Sequence, residues 1–441
     1  MKKTIGIAFT VLAALMIGAP LVNGILMERV VRTAHEQANH QYRESGSDVE
    51  LAISRYDRGY LSSEIEWRLK LGRLAALYGV DEIVFVDRAK HRLTGIVSET
   101  SLEKNQWYQD LVAQQLGGVD PLHITTTYLL NGAIESTIAL DATTLAVEGE
   151  QISFGPGQVV VSSDSDFSAF HSEGRLQEMS GGDELMLRDL SLSSTLTKES
   201  AYIWAGELQI AIGSGRLSEA GETVDLQNLR AGYRLDFDRE GSRVTLATTL
   251  AADRFGSSEF TVENPTFRIE AANLDAAGYE RYLAAYSDLA GEVMDDISRP
   301  DMDQEARQQV VKNTMTMAGI RLLAAGEQLL KKDTRITVSE LSARLPEGEI
   351  KGTLTFQLLD DLTLMQLAPL ADQPSLAFRL FSLQSSLRLP QALVDDPAPL
   401  VTPMHPAMPT GLFRREGETL VHEAETRDGN LYLNGQQVVL D

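Results

Sequence analysis

The sequence predicts a mainly β protein of the α+β kind. The expected plan is an elongated antiparallel β body with a two-helix insertion and one N-terminal transmembrane helix. Three observations predict it. From Asp48 onward, apolar residues alternate with polar ones in segment after segment, separated by Gly-, Ser- and Asp-rich breaks. Such alternation marks strands with one wet and one dry face. Two stretches between 275 and 331 switch to the helical period. Finally, Ile5 to Met27 runs apolar directly after Met1-Lys2-Lys3.

Composition narrows the classes. Of 441 residues, 43% are hydrophobic and 23% charged, ordinary values for a folded chain. There is no cysteine, which excludes a disulfide scaffold, a thiol nucleophile and thiolate-held metal. The 39 basic residues face 63 acidic ones, for a net charge of −24. That balance argues against a nucleic-acid partner, since phosphate binding needs a basic surface.

The N-terminal run, at about 1.5 Å per residue, reaches roughly 30 Å, the thickness of a bilayer core. Lysines before it, with Glu28, Arg29 and Arg32 after it, place the N-terminus in the cytoplasm and the remainder outside. A single-pass inner-membrane protein with its bulk in the periplasm is the expectation. A cleaved signal peptide, with Val22 and Gly24 as small residues before Ile25, is the competing reading. The anchor over residues 1–27 is favoured because the run exceeds a usual signal core and helical patterning continues through Val30, Val31 and Ala34.

Residues 28–45 read as a polar juxtamembrane helix, ended by Ser45-Gly46-Ser47. A β-rich region follows over 46–272. It has clear strands at Leu122–Leu130, Ile134–Leu140, Tyr202–Ile212, Val244–Leu250 and Phe260–Ile269, and Asn131-Gly132 signals a type I′ hairpin. The helical insertion spans 273–332. Its first helix carries Tyr279, Tyr282, Leu283, Tyr286, Leu289 and Val293 on one stripe, with Asn273 or Asp275 as cap. Its second carries Val310, Val311, Met315, Met317, Ile320, Leu323, Leu329 and Leu330. A C-terminal β-rich region fills 333–441 and contains a Pro-rich loop at 390–411.

Four motifs resemble the YdgA-like family of bacterial envelope proteins of unknown function. They are Tyr56-Asp57-Arg58-Gly59-Tyr60-Leu61-Ser62-Ser63-Glu64, Leu274-Asp275-Ala276-Ala277, Leu345-Pro346-Glu347-Gly348-Glu349-Ile350-Lys351-Gly352 and Tyr432-Leu433-Asn434-Gly435-Gln436. The resemblance spans nearly the whole chain. It implies a membrane-anchored periplasmic protein and brings no catalytic residue with it.

No constellation carries an evident chemistry. His35 and His40 are five apart, off the spacing that sets two ligands on one helix face, and the other five histidines are scattered among unlike segments. They read as solvated or turn residues. Asp164-Ser165-Asp166 lacks the glycine and closing glutamate of a calcium loop. Gly155-Pro156-Gly157 and Gly213-Ser214-Gly215 open no helix and are not phosphate cradles. No catalytic residue, metal or cofactor is therefore expected. Two weaker candidates remain. The Tyr56–Glu64 corner reads as a tight strand connection with Gly59 supplying φ freedom; its functional reading makes Arg58, Tyr60 and Trp67 a partner-contact cluster. The dry faces of the strands read as packed core; their functional reading makes Leu208, Ile210, Ile212, Leu354 and Phe356 an apolar groove for a lipid chain.

Together these imply an unknown molecular activity. The best-supported reading is non-enzymatic handling of a hydrophobic ligand or support of envelope assembly. The rivals are a structural or interaction module, with a homodimer or an envelope protein as partner, and a hydrolase with dispersed carboxylates.

Overall fold

The computed structural model describes residues 25, 27–40, 42–43, 47–75, 79–92, 94–147, 150–182, 184–219, 221–297, 304–367, 376–395 and 411–438. The expected membrane anchor, apart from Ile25 and Met27, and most of the Pro-rich loop lie outside them. Among the described residues no helix is long and apolar enough to cross a membrane. The chain is mainly β, as the alternation predicts, with 58% strand and 21% helix.

It divides into two compact units. The first comprises residues 1–177, 193–202 and 287–316; the second comprises 178–192, 203–286 and 317–441. Each is built on an antiparallel meander in which strands pair mostly with their chain neighbours.

In the first unit, β1 (Glu50–Arg58), β2 (Ser62–Lys70), β3 (Glu82–Arg92), β4 (Gly95–Leu102), β5 (Leu122–Leu129) and β6 (Ile134–Leu140) pair in sequence. A small hairpin of β7 (Thr143–Val147) and β8 (Glu150–Phe154) interrupts the order, and β9 (Gly157–Ser163) returns to β6 and pairs with β10 (Ala169–Gly181). A helix over residues 27–40 crosses one face of this sheet. It is less polar in role than its sequence implied. Met27 and Val31 are buried with Ile65, Ala89 and Ile96, and Ile53, Tyr56, Trp67 and Tyr128 pack around them. The helix is amphipathic, with Glu28, Arg29 and Arg32 on its wet side, and it supplies the lid of the unit's core. At its far end the Asn39 side chain exchanges two 2.7 Å hydrogen bonds with the backbone of Leu51, donating to its carbonyl and accepting from its N–H.

Two turns differ from their sequence reading. The Asn131-Gly132 hairpin is not type I′, because only Gly132 has positive φ. Gly132 N–H donates to the Leu129 carbonyl and Leu129 N–H to that of Ala133. This is a type I turn followed by a left-handed glycine, the solution for a longer connection. Asp428-Gly429 and Asn434-Gly435 do carry positive φ at both positions, as type I′ requires. Gly59 is needed for space rather than for φ, since a Cβ there would stand 2.9 Å from the Ser62 carbonyl oxygen.

The second unit contains β12 (Trp204–Glu219), β13 (Glu222–Asp238), β14 (Arg243–Ala251), β16 (Thr261–Asp275), β17 (Arg335–Leu345), β18 (Gly348–Leu358), β19 (Phe381–Pro390) and β21 (Thr419–Arg427), paired in that order. The short β15 (Arg254–Gly256) bridges β13 and β16. A helical turn at Ala377–Leu380 immediately precedes β19.

Helices Ala276–Ile297 and Gln304–Leu329 enter between β16 and β17. Asp275 is the cap, its carboxylate accepting from Gly278 N–H at 2.8 Å. Tyr279 and Ala276 bury against Ile203, Leu235, Val244 and Leu274, with Leu283, Leu329 and Leu330 beside them. Of the stripe read from the second helix, Met315 and Leu323 are exposed, whereas Leu329 and Leu330 at its C-terminal end pack beside this core.

Candidate functional site

The strand registers of the second unit align mostly apolar side chains in rows across the sheet. Leu208 pairs with Tyr233, Tyr233 with Thr248, Thr248 with Ile269, Ile269 with Val338 and Val338 with Leu354. One step along the strands, Ile210, Ala231, Leu250, Phe267, Leu341, Gly352 and Leu387 form a second row. One step the other way, Leu235, Leu246, Ala271, Ile336, Phe356 and Leu383 form a third. Cross-strand partners share a face, so the predicted residues Leu208, Ile210, Leu354 and Phe356 lie on one apolar surface, with Ile212 one step further along its strand.

Cover over this surface is uneven. Leu235 of the Phe356 row is sealed in the helix-covered core, where Leu246 and Ala271 also pack. In the Ile210 row, Ile210, Leu250 and Leu341 are 45%, 46% and 39% exposed. Leu208 and Leu354, between them, are half-buried. Gly352 lets this row lie flat: an added Cβ would be 3.1 Å from Leu387 and 3.2 Å from Leu341. The opposite face carries ion pairs such as Arg268–Glu340 and Lys351–Glu349. One side of the sheet is therefore charged and the other aliphatic.

Left-handed residues preserve that sidedness over long strands. Asp189 in β11 (Leu185–Lys198), Asn228 in β13 and Asn264 in β16 have φ of 55°, 49° and 48°. At each, the apolar alternation slips by one residue: Leu185 and Leu187 give way to Leu190 and Leu192, Val224 and Leu226 to Leu229 and Ala231, and Val262 to Phe267. A residue in this conformation turns the strand over by one position, so the slip keeps the same side dry. Asp253 stitches the line: Asn228 Nδ2 donates to its carboxylate at 2.7 Å, and Asn264 N–H to its carbonyl at 2.9 Å.

The first unit holds a second concentration of chemistry, and it is polar. The inner positions of β3 are Phe85, Asp87, Ala89 and His91, where alternation calls for apolar residues throughout. Asp87 and His91 are both buried. Burial pushes the Asp87 carboxyl up from its ordinary value, against hydrogen bonds from the Thr100 hydroxyl and the Trp67 indole and the attraction of His35. His35 is pushed down by burial. Its Nδ1 lies 2.9 Å from the Val31 carbonyl, an acceptor only, so Nδ1 carries the proton. Asp87 Oδ1, Ser98 Oγ and His35 Nε2 are buried with no hydrogen-bond partner. His91, read from sequence as a solvated or turn residue, is instead a structural pin. Its Nδ1 donates to the Tyr60 carbonyl at 3.2 Å and its Nε2 accepts from the Ser63 hydroxyl at 2.9 Å.

The corner candidates separate. Trp67 lies on the inner face, stacked on Phe85 at 4.1 Å and edge-on to His35 at 5.7 Å. Arg58 pairs with Glu28 at 3.0 Å. Tyr60 is exposed in the turn. Among the described residues no cluster of three His, Asp or Glu is placed to hold a metal ion. Sequence reasoning missed the buried Asp87 and its attraction to His35; the available signal was an aspartate on the dry phase of β3.

An apolar cavity of about 230 Å³ is lined by Met27, Val30, Gly95, Ile96, Tyr128 and the 129–132 turn.

Neither the curated proteins nor the solved structures contain a significant match to the chain. A family model described as a bacterial protein of unknown function (DUF945) matches residues 1–441, and the chain belongs to that family.

Proposed function

We propose that this protein is a non-enzymatic, single-pass inner-membrane protein of the bacterial envelope that handles lipid acyl chains on the open aliphatic face of its second unit. The observation that carries the reading is the Ile210–Leu250–Leu341 row. Three large aliphatic side chains remain exposed in one row of a face whose Leu235 side is sealed in the core. Such a surface costs roughly 25 cal/mol per Å² while it faces water, and contiguous apolar surface of this kind marks a binding site. Acyl chains suit it because the surface is aliphatic and extended, with its charges on the opposite face. The periplasmic address and the anchor rest on Lys2-Lys3 and the apolar run that follows.

A photoreactive side chain at Leu250, illuminated in cells, should form a lipid adduct. The same group at the neighbouring Thr249, on the opposite face, should not. Adducts to a single protein at Leu250 would favour the interaction module instead, and equal lipid labelling at both positions would defeat the reading.

A further inference from the structure

Four hairpin turns of the first unit's sheet fall on one edge, because the strands are consecutive and antiparallel. They connect β1 to β2, β3 to β4, β5 to β6 and β9 to β10. The last row before that edge runs His91–Ile96–Tyr128–Ile134–Ser163–Phe170. Large hydrophobic side chains stand exposed there: Tyr60 and Leu61 in the first turn, Leu129 and Leu130 at the third. Leu61 and Leu130 expose 58% and 60% of their surface, more than either residue needs for packing a turn.

The turns are held by backbone hydrogen bonds. Gly59 N–H donates to the Ser62 carbonyl and His91 N–H to the Leu61 carbonyl, both at 2.8 Å. The His91 ring holds Tyr60 from below. The leucines of the third turn are fixed by the Leu129–Gly132 and Leu129–Ala133 hydrogen bonds.

The N-terminal helix begins at this same edge. Met27 and Val30 line one cavity with Gly95 and the 129–132 turn, while Asn39 is tied to Leu51 at the start of β1, on the opposite edge. Twelve helical residues cover about 18 Å, enough to run from one edge toward the other. The described helix therefore starts, at Met27, near where Leu61 and Leu130 project, and Ile25 is itself exposed.

We propose that this turn edge docks on a lipid bilayer, with Leu61 and Leu130 in the headgroup layer beside the point where the chain leaves the membrane. The proposal rests on the reading that residues 5–27 cross the bilayer. A lipid surface fits the edge because its exposed apolar side chains belong to separate hairpins and flank one membrane-bound segment. Tyrosine is also favoured at the membrane–water interface.

The chain has no cysteine, so one introduced cysteine can be labelled uniquely. The full chain in phosphatidylcholine/phosphatidylglycerol vesicles, labelled with an environment-sensitive dye at Leu130→Cys or Leu61→Cys, should emit at shorter wavelength. Lipid-borne nitroxide should quench the dye at least twofold more than aqueous iodide does. Val119→Cys, an exposed residue in the β4–β5 connection on the opposite edge, should show the reverse order. Leu130 and Leu61 probes as open to iodide as Val119, in protein that resists carbonate extraction, would overturn the docking edge and leave the anchor standing. Carbonate extraction of protein whose Leu130 probe is shielded would overturn the anchor and keep the edge.

Discussion

Leu208 and Leu354 occupy one row of paired residues that crosses β12, β13, β14, β16, β17 and β18. At about 4.8 Å per strand spacing, the row extends roughly 24 Å along the sheet, comparable to a long acyl chain. The two rows beside it differ in cover, and that difference is measurable. Ile210→Glu or Leu250→Glu replaces an already exposed side chain and should change stability by about 0.5 kcal/mol or less, while removing co-purified lipid. Leu235→Ala, in the sealed row, should cost about 2–5 kcal/mol. Chemical denaturation with lipid mass spectrometry reads both.

Helix–helix contact makes a second prediction. A Cβ on Gly278 would stand 2.3 Å from the Gln328 carbonyl oxygen. Backbone cannot yield as a side-chain tip can, so Gly278→Ala should destabilise the fold by about 1–3 kcal/mol despite alanine's better helix propensity. A lowered thermal midpoint is the expected outcome.

Asn228 tests the left-handed positions. Asn228→Val places a β-branched residue at φ 49°, costing about 1–2 kcal/mol for the conformation alone, and removes the bond to Asp253. Asn228→Gly keeps the conformation and loses only the bond. Valine should therefore be the more destabilising of the two in urea denaturation.

Protonation at the polar core gives opposing pH slopes. Above the ordinary carboxyl value of 3.8, the unfolded chain ionises Asp87 while the folded one retains its proton. Stability therefore declines as pH rises from 3.8 to the raised folded value. Asp87→Asn should abolish that decline, so its gain over the parent is larger at pH 7 than at pH 4. His35 acts oppositely: below 6.5 the unfolded chain takes up a proton that buried His35 refuses, so stability falls as pH drops through 6.5 toward the lowered folded value. His35→Gln should flatten that limb. Denaturation midpoints across pH 4 to 8 separate the two.

Much of the fold was legible because period-two alternation reports local geometry directly. The strands around Leu208, Ile210, Leu354 and Phe356 follow from that pattern alone, and their common face follows from register. What was not legible depended on contacts distant in sequence. His35 and Asp87 come within electrostatic reach only because the helix that begins at Met27 lies over this sheet. Trp67 reads as exposed beside Arg58 and Tyr60 until the pairing with Phe85 places it inside. The slips at Asp189, Asn228 and Asn264 disguise the longest strands, since each breaks the alternation that identifies a strand. Met315 and Leu323 mislead in the other direction: apolar helix residues predict a buried stripe only where a partner surface exists.

Pairing between chain neighbours has a consequence for how the protein is made. Within each unit nearly every strand docks on the one synthesised just before it, and the β15 and β7–β8 detours are short. Loop-closure entropy is then spent in small instalments, as in stacked-repeat proteins. A chain threaded from its N-terminus through a narrow exit can grow its sheet strand by strand as it emerges, with the newest strand as the template for the next. Segments Ala276–Ile297 and Gln304–Leu329 are the place where that growth pauses: β16 must wait for two complete helices before β17 arrives.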